Sequence, residues 1–409
     1  MKGIKTLVFI YNSFNDPLFQ NLVLSYIRTL SKSEGREFHV ITFEQEQYAI
    51  SEEDKIKIKT GLAKENIFWY PLKFHTGRFL LFKKAYDLLQ AILLVLKIRI
   101  VKGTKVLFAF ANVSASYSVL FLGLLKMKML IFSYEPHSEF MEELGLWSKT
   151  SMKFKLLNYL ENLAGRKADF VLTGTKYMVE RLKQRGAKGE LYRAPTGINS
   201  EEIFPTEKSQ GLRKKYRLEN KKVLFYIGKF GDLYYSKEIP MLFNVLRKEI
   251  PDLFFLVLTP NDLDDVNALF EGEGVSKQDY KVIDGRMKRS AINEYIGVAD
   301  IGLSTVPPTP AQKFRSPTKV GEYLMAGVPF ITSKGVSEDD LYANKYNVGV
   351  VLNEFSENEI ERITKDIKAL LIEPKVEQLK RCREVGMAYR SKEHVVGVLE
   401  QIYTKLEGQ

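Results

Sequence analysis

The segment SPTKVGEYLMAGVPF, in the second half of the chain, combines groups that could bind an anion with one that could bind a sugar. Its first residues stand where a helix is predicted to begin. Free backbone amides at such a helix start, together with a lysine and the positive end of the helix dipole, suit a diphosphate. Glu322 does not suit a phosphate, but its carboxylate could accept hydrogen bonds from the two hydroxyls of a ribose. This spacing predicts a nucleotide site whose phosphate side is formed by Ser316, Pro317, Thr318 and Lys319.

A second loop, YIGKFGDLYYSK, carries glycines and lysines directly after a predicted strand. Gly228 and Gly231 permit close approach of the backbone to a ligand, and Lys229 and Lys237 place positive charge beside it. The first segment also has a purely structural interpretation, because Ser-Pro-Thr is an ordinary helix cap and a first-turn acid is ordinary compensation of the helix dipole. From that segment alone, both interpretations stay open.

Two successive sets of short apolar runs must position these loops. Runs such as TLVFIYN and FHVITFE in the first half, and KKVLFYIGK and DLFFLVLTP in the second, alternate with segments of helical period. Strands that are continuously apolar indicate parallel sheets covered by helices on both faces. We therefore predict two α/β domains in tandem, residues 1–200 and 201–385, followed by a helix at 386–409. Because open parallel sheets bind ligands beyond the carboxyl ends of their strands, the site is expected in the cleft between the domains.

Composition limits the class of protein. The 409 residues suggest two or three domains, and a net charge of +11 favours anionic partners. The single cysteine, Cys382, excludes an internal disulfide framework and multi-cysteine metal sites, and we interpret it as structural. The apolar run Leu88–Ile100 is shorter than the ~20 residues of a spanning helix. We expect a cytoplasmic protein without a transmembrane helix.

Several segments, taken in order, resemble one enzyme family. They are DPLFQNLVLSYIRTL, FSYEPHSEFMEELGLW, ADFVLTGTKYMVERL, YRAPTGIN, FYIGKFGDLYYSKEIPMLF and SPTKVGEYLMAGVPFI. Together they are similar to the retaining GT-B glycosyltransferases of family 4, and the resemblance covers essentially the whole chain. It implies two Rossmann-like domains facing a central cleft, with the C-terminal helix crossing back to the N-terminal domain. It also implies a UDP- or GDP-linked sugar donor and a role in surface polysaccharide or glycolipid biosynthesis.

The resemblance assigns roles to individual residues. Glu322 would hold the donor ribose, Lys229 and Lys237 would meet the diphosphate, and the loop with Gly285 and Arg286 would contact the base. In EPHS, the histidine would face the reacting sugar. The resulting catalytic set is His137, Lys229 and Lys237, and the acceptor-side candidates are Asn15, Asp16 and Glu135.

Three observations leave parts of this assignment open. Many family members have a second acid eight positions before the ribose glutamate, where this chain has Phe314. The usual glycine pair of the first loop is replaced by YNSFNDPLF. His137 could also be a histidine that is merely satisfied beside Glu135 or Glu139. The other histidines, His39, His75 and His394, show no ligand spacing and are interpreted as structural.

The chemistry of the donor bond suggests a mechanism. Cleavage places negative charge on the leaving diphosphate, so catalysis needs cations there, which lysines and helix amides supply. Paired carboxylates of the glycosidase type are not evident, which fits front-face transfer in which the leaving phosphate takes the acceptor proton. We assign His137 to positioning or polarising the sugar. No metal and no cofactor are predicted.

The acceptor is a glycan or a lipid-linked molecule. The region Arg78–Lys105 mixes large apolar residues with seven basic ones and a single acid, Asp87, so it could contact an anionic membrane on its inner face. Alternatively, Leu88–Leu96 packs on the sheet and the lysines are solvated.

Other classes of protein are distinguished by specific features. A nucleic-acid binder would show a compact basic stripe or a known module, and none is evident. A dinucleotide oxidoreductase would carry Gly-x-Gly-x-x-Gly after its first strand, which YNSFND and GKFGDL do not. A GT-B sugar-nucleotide epimerase would turn over a nucleotide sugar without acceptor, and a non-catalytic binding protein would bind nucleotide without turnover.

Overall fold

The chain forms two compact units in a computed structural model that describes residues 3–33, 35–133 and 135–408. The first unit consists of Met1–Pro195 and Val395–Gln409, and the second consists of Thr196–His394. Both are α/β structures built on a parallel sheet. The predicted fold class is confirmed.

The first unit contains a seven-stranded sheet in the order β3-β2-β1-β4-β5-β6-β7. Each neighbouring pair is parallel. The strands are β1 (Lys5–Ile10), β2 (Glu37–Glu44), β3 (Ile67–Lys73), β4 (Val106–Phe110), β5 (Lys128–Ser133), β6 (Phe170–Thr173) and β7 (Glu190–Arg193).

The second unit contains a six-stranded parallel sheet in the order β10-β9-β8-β11-β12-β13. The strands are β8 (Lys222–Ile227), β9 (Leu253–Thr259), β10 (Tyr280–Asp284), β11 (Ile301–Ser304), β12 (Phe330–Ser333) and β13 (Gly349–Leu352).

Continuous apolar sequence produces the central strands. All five residues of β4 and all seven of β9 are buried, because helices cover both faces of a parallel sheet. The edge strand β7, with sequence ELYR, was not predicted from the sequence. Its residues are half-buried or exposed, so it lacks the apolar run that marks the other strands.

Helices connect the successive strands of both sheets, and further helices precede the first strand and follow the last strand of the second sheet. In the first unit they are α1 (Ser25–Leu30), α2 (Glu52–Ala63), α3 (Leu80–Lys102), α4 (Ala111–Leu125), α5 (His137–Glu143), α6 (Met152–Lys167) and α7 (Lys176–Gln184). In the second unit they are α8 (Ser209–Lys215), α9 (Glu238–Glu249), α10 (Leu263–Gly272), α11 (Arg289–Ile296), α12 (Thr318–Met325), α13 (Asp339–Tyr346), α14 (Glu357–Ile372) and α15 (Lys375–Arg390). A π-helical segment, Phe19–Leu24, precedes α1.

The last helix, α16 (Lys392–Glu407), returns the chain to the first unit. Its residues Leu399 and Tyr403 are fully buried in the core of that unit. The Tyr403 hydroxyl lies 3.1 Å from Thr6 Oγ1 of β1. The expected return of the C-terminal helix is therefore observed, and apolar residues on one face of α16 explain it.

Each sheet reverses its strand order at one point. The reversal lies between β1 and β4 in the first unit, and between β8 and β11 in the second. Chain segments leave neighbouring strands in opposite directions there, so a crevice opens beyond the carboxyl ends, and ligands bind in such crevices. The loops after β8 and β11 are the ones that carry the residues predicted to bind a nucleotide.

Candidate functional site

The predicted phosphate-binding residues converge at the carboxyl ends of β8 and β11. The loop after β8 begins at Gly228, and the loop after β11 leads into α12, whose second residue is Lys319. The Lys319 ammonium donates a hydrogen bond of 3.3 Å to the hydroxyl of Tyr226 on β8. Two segments separated by about ninety residues therefore meet at one point.

Two aromatic rings flank the Lys319 ammonium. Its Nζ atom lies 4.4 Å from the ring centroid of Tyr226 and 4.6 Å from that of Tyr234. Burial lowers the pKa of Lys319 to about 7, the charge of Glu322 partly opposes this shift, and the charge of Arg315 adds to it. The lysine therefore lacks a full charge partner in this state, and an anion placed beside it would favour its protonated form.

Close approach to Lys319 requires glycine at position 228. Gly228 has a φ of +151°, and a Cβ atom there would lie 2.5 Å from Lys319 Nζ and 2.7 Å from its Cε. Gly231 has a φ of +77°, but a Cβ there would meet no heavy atom of the described chain within 4 Å. The two glycines predicted to permit close approach therefore have different roles. Gly228 leaves space for the Lys319 side chain, and Gly231 allows the backbone turn of the loop.

The ribose candidate, Glu322, is buried on α12 and paired with Arg289. The guanidinium of Arg289, the first residue of α11, donates to Glu322 Oε1, and its Nε lies 3.7 Å from Glu202 Oε2. The Glu322 side chain is 8% exposed. One carboxylate oxygen is thus occupied, and the pairing fixes the orientation of the other.

The start of α12 is held by contacts outside the helix. The Ser316 hydroxyl accepts a hydrogen bond of 3.0 Å from the Thr196 amide, and the Pro317 carbonyl accepts one from the buried guanidinium of Arg390. Thr318, the first helical residue, is exposed, and no side chain among the described residues caps α12. The first turn of α12 is therefore rigidly placed and keeps its positive dipole end uncapped by side chains.

The remaining basic candidates are exposed. The ammonium groups of Lys229 and Lys237 form no hydrogen bond or ion pair with any residue that the structure describes. Tyr226 donates to the Lys229 carbonyl, which anchors the backbone while the side chain stays in solvent. Lys237 directly precedes α9. Both side chains are available to bind an anion, but the structure shows no contact between either of them and Lys319.

The predicted base loop follows β10. Gly285 packs against the backbone of β9, since a Cβ there would lie 3.1 Å from the Thr259 amide nitrogen. The exposed Arg286 folds back on Asp284, with a distance of 2.9 Å between Nε and Oδ1. In this state the Arg286 guanidinium is therefore engaged within its own turn.

The first unit places His137 at the start of α5. Its Nδ1 atom lies 3.6 Å from Glu135 Oε1, and its ring meets Trp147 edge-on at 6.2 Å. The following residue, Ser138, donates from its amide and hydroxyl to Glu161 on α6. Burial raises the pKa of Glu161 to about 7, although the Ser138 hydrogen bond and the charge of His137 oppose the shift. Glu161 thus holds the turn that presents His137, and a third of the His137 side chain is exposed.

The acceptor-side candidates lie after β1 and β5, at the carboxyl edge of the first sheet. Asn15 is exposed, whereas Asp16 accepts hydrogen bonds from the Asn12 side chain at 2.9 Å and the Leu18 amide at 2.8 Å. Asp16 therefore organises its own loop in this structure. The Glu135 carbonyl accepts from the Asn112 side chain. An acceptor role for these residues stays a prediction.

Sequence reasoning did not identify Arg289, Tyr226 or Tyr234. Arg289 stands in DGRMKR, directly after the predicted base loop, so its proximity to that loop was visible, but its pairing with Glu322 depends on the tertiary fold. Tyr226 is part of an apolar strand, and aromatic residues in strands usually report packing alone.

Neither a metal-ligand cluster nor a membrane-spanning helix occurs among the described residues. Within residues 3–33, 35–133 and 135–408, no group of three or more His, Cys, Asp or Glu side chains could hold a metal ion. No helix in the described part of the chain is both long and apolar enough to span a bilayer.

Comparison with known proteins identifies the fold. No family model matches the chain, and no curated protein sequence does. Among solved structures, sucrose-phosphate synthase from Thermosynechococcus elongatus aligns with a TM-score of 0.74 at 13% identity over 99% of both chains. Anabaena HepE, solved in complex with UDP and glucose, aligns with a TM-score of 0.68 at 15% identity over 99% of this chain and 100% of that one. Trehalose 6-phosphate synthase from Burkholderia multivorans aligns with a TM-score of 0.65 at 10% identity over 100% and 99%. The chain therefore has the GT-B fold.

Proposed function

We propose that the protein is a retaining glycosyltransferase of the family 4 type. It moves a sugar from a UDP- or GDP-linked donor to a glycan or lipid-linked acceptor, in surface polysaccharide or glycolipid biosynthesis. The observation that carries the proposal is the approach of Lys319 to Gly228, with the buried Glu322 one turn further along the same helix, at the point where the strand order of the second sheet reverses. A cation, a clear backbone approach and a buried carboxylate are the groups that a nucleoside diphosphate needs.

Each group has a place in donor binding. The diphosphate lies against Lys319 and the first turn of α12, with Lys229 and Lys237 closing on it from solvent. Glu322 accepts the ribose hydroxyls through the oxygen that Arg289 leaves unoccupied. HepE, which was solved with UDP-glucose, lends support by sharing this fold with the chain.

The reaction breaks the bond between the anomeric carbon and the diphosphate oxygen and forms a bond between that carbon and an acceptor oxygen. The acceptor proton passes to the leaving phosphate, so no separate base is required. Negative charge develops on the diphosphate as the bond breaks, and the lysines stabilise it. His137, held by Ser138 and Glu161, positions the transferred sugar. We expect no metal and no cofactor.

A ligand panel tests the proposal. Calorimetric titration with UDP, GDP, the matching nucleosides and a panel of their sugars should show binding of one diphosphate series and far weaker binding of its nucleoside. Glu322→Ala should weaken both the diphosphate and the nucleoside, whereas Lys319→Ala should weaken the diphosphate alone. Equal losses for both ligands in Lys319→Ala would contradict the phosphate assignment.

A turnover assay separates the rival functions. With the bound nucleotide sugar and no acceptor, a transferase releases nucleoside diphosphate only slowly, whereas an epimerase converts the sugar. Binding without turnover on any acceptor extract would instead identify a nucleotide-sugar-binding protein.

A further inference from the structure

Helix α3 of the first unit is apolar on two opposite faces. Its inner face packs Ala91, Val95 and Ile98 against the sheet, where they join residues of β1 and β2 in one buried cluster. Its outer face carries large apolar side chains that are 51–78% exposed, namely Phe82, Tyr86, Leu89, Leu93 and Ile100. An ordinary surface helix covers its second face with polar residues. The outer face of α3 therefore needs an explanation other than packing on its own sheet.

The spacing of these residues aligns them in one row, which we call the outer stripe (Phe82, Tyr86, Leu89, Leu93 and Ile100). They follow one another at intervals of four, three, four and seven residues. At 100° per residue, Phe82 and Ile100 point in the same direction, and the others lie within about 40° of it. Exposed apolar side chains scattered singly are normal on a protein surface, but a row of this length marks an interaction surface.

Charge distinguishes between the partners that an apolar row could take. Five of the residues of α3 are basic, namely Lys83, Lys84, Lys97, Arg99 and Lys102. Lys97 is exposed and lies about 60° from the direction of Phe82, beside the outer stripe. Lys84 instead turns toward the sheet, where it pairs with Asp87 and lies over the Phe74 ring. The one acid of α3, Asp87, is buried and paired with His75 and Lys84, so it contributes no exposed negative charge. If α3 paired with α3 of a second copy, Lys97 of each copy would lie beside the seam without an exposed acid of α3 to match it. A surface of anionic lipid headgroups matches both the apolar row and this exposed lysine.

Helix α6 also exposes apolar side chains beside lysines. Helix α4 contacts both α3 and α6. On α6 the residues Met152, Leu156 and Tyr159 are more than half exposed, beside the exposed Lys153 and Lys155.

We propose that the outer stripe of α3 docks on an anionic phospholipid surface, with its apolar side chains entering the headgroup region and its lysines contacting the phosphates. The sequence left two interpretations of this region open, a contact with an anionic membrane and packing of Leu88–Leu96 on the sheet. The structure divides that run between the two roles, because Ala91 and Val95 face inward and Leu89 and Leu93 face outward. The docking does not depend on the glycosyltransferase assignment.

Vesicle sedimentation tests the docking. The purified protein is mixed with phosphatidylcholine vesicles that contain either no anionic lipid or about 30% phosphatidylglycerol, at low and at high salt. We expect binding to the anionic vesicles, weakened by salt. Leu89→Ser/Leu93→Ser should lower the partition coefficient at least about tenfold, since half-exposed leucines lose their burial in the lipid. Lys97→Glu should lower it at least about fivefold.

A matched control removes exposed apolar side chains elsewhere. Ile372 and Val376 are 83% and 79% exposed in the second unit, so Ile372→Ser/Val376→Ser should bind vesicles as the wild type does. All variants change exposed residues and should keep the wild-type unfolding transition and nucleotide affinity.

Three results would overturn the proposal. The first is equal binding to neutral and anionic vesicles, or binding to neither. The second is a Leu89→Ser/Leu93→Ser variant that partitions like the wild type. The third is light scattering that shows a wild-type dimer which this variant dissolves, because the partner of the outer stripe would then be a second copy of the chain.

Discussion

Lys319 makes the affinity for a nucleoside diphosphate depend on pH. Burial between Tyr226 and Tyr234 lowers the pKa of this lysine from 10.5 to about 7 in the free protein. A bound diphosphate supplies the missing negative charge and returns the pKa toward its ordinary value. Binding therefore takes up a proton wherever the free lysine is neutral and the bound lysine is charged.

The magnitude follows from proton linkage. If binding restores the ordinary pKa, uptake approaches one proton above pH 7.5, and the affinity falls nearly tenfold between pH 7.5 and 8.5. The terminal phosphate of the nucleotide has a pKa of about 6, so its titration does not contribute to the change of affinity between pH 7.5 and 8.5. The affinity of Lys319→Met should be lower at pH 7.5 and nearly independent of pH across the same window.

The same shift predicts a change in stability. Because the folded pKa lies below the unfolded one, the unfolded chain binds the proton more readily between pH 7 and 10.5. The lysine therefore destabilises the free protein increasingly as pH falls through that window. The full shift corresponds to about 5 kcal/mol, which solvent at the half-buried side chain reduces. We expect Lys319→Met to raise the free energy of unfolding at pH 7 by about 1–3 kcal/mol.

Isothermal titration calorimetry measures the proton uptake directly. Titrations in two buffers of different ionisation enthalpy give the number of protons bound at each pH, and urea unfolding gives the stability. An affinity that is flat between pH 7.5 and 8.5, or a slope that persists in Lys319→Met, would refute the assignment of Lys319 to the diphosphate.

Three further predictions concern neighbouring groups. Gly228→Ala should destabilise the protein by about 1–3 kcal/mol and weaken diphosphate binding, because its Cβ would displace Lys319. Gly231→Ala should cost only about 1 kcal/mol of backbone strain and leave Lys319 in place. Urea unfolding measures the two stabilities, and calorimetry measures the two affinities. Arg289→Ala should weaken nucleoside binding severalfold, because Glu322 would lose the partner that orients it. Arg289→Lys should restore part of the nucleoside affinity. If Arg289→Ala lowered only the affinity for inorganic pyrophosphate, the orienting role of Arg289 would be contradicted. Because the pKa of Glu161 is raised to about 7, the contribution of this residue to the free energy of unfolding falls as pH rises from about 4.5 to 7. Glu161→Gln should therefore reduce the pH dependence of that free energy by about 1–2 kcal/mol, measured by urea unfolding at a series of pH values. An unchanged pH profile would contradict the burial of an ionisable Glu161.

The fold was predictable because its signals are local and repeated. Every central strand is a continuous apolar run, and burial on both faces of a parallel sheet demands that pattern. Strand β7 and helix α8 were missed, since β7 is a half-buried edge strand and α8 lies in a polar, charged stretch without an apolar pattern.

The site was only partly predictable. The type and spacing of Lys319 and Glu322 indicate phosphate and ribose chemistry, but the partners of these residues come from distant segments. Tyr226 and Arg289 stand about ninety and about thirty residues away from them, and no local pattern links these positions. The spacing of the outer stripe is visible in the sequence, but only the structure shows which apolar face of α3 the sheet already covers.

A crystal structure of the protein with a bound nucleoside diphosphate tests the central claim most directly. It should show the diphosphate within hydrogen-bond distance of Lys319 Nζ and the first amides of α12, with a ribose hydroxyl on Glu322. A nucleotide bound elsewhere, or a Glu322 that contacts Arg289 and no part of the ligand, would contradict it.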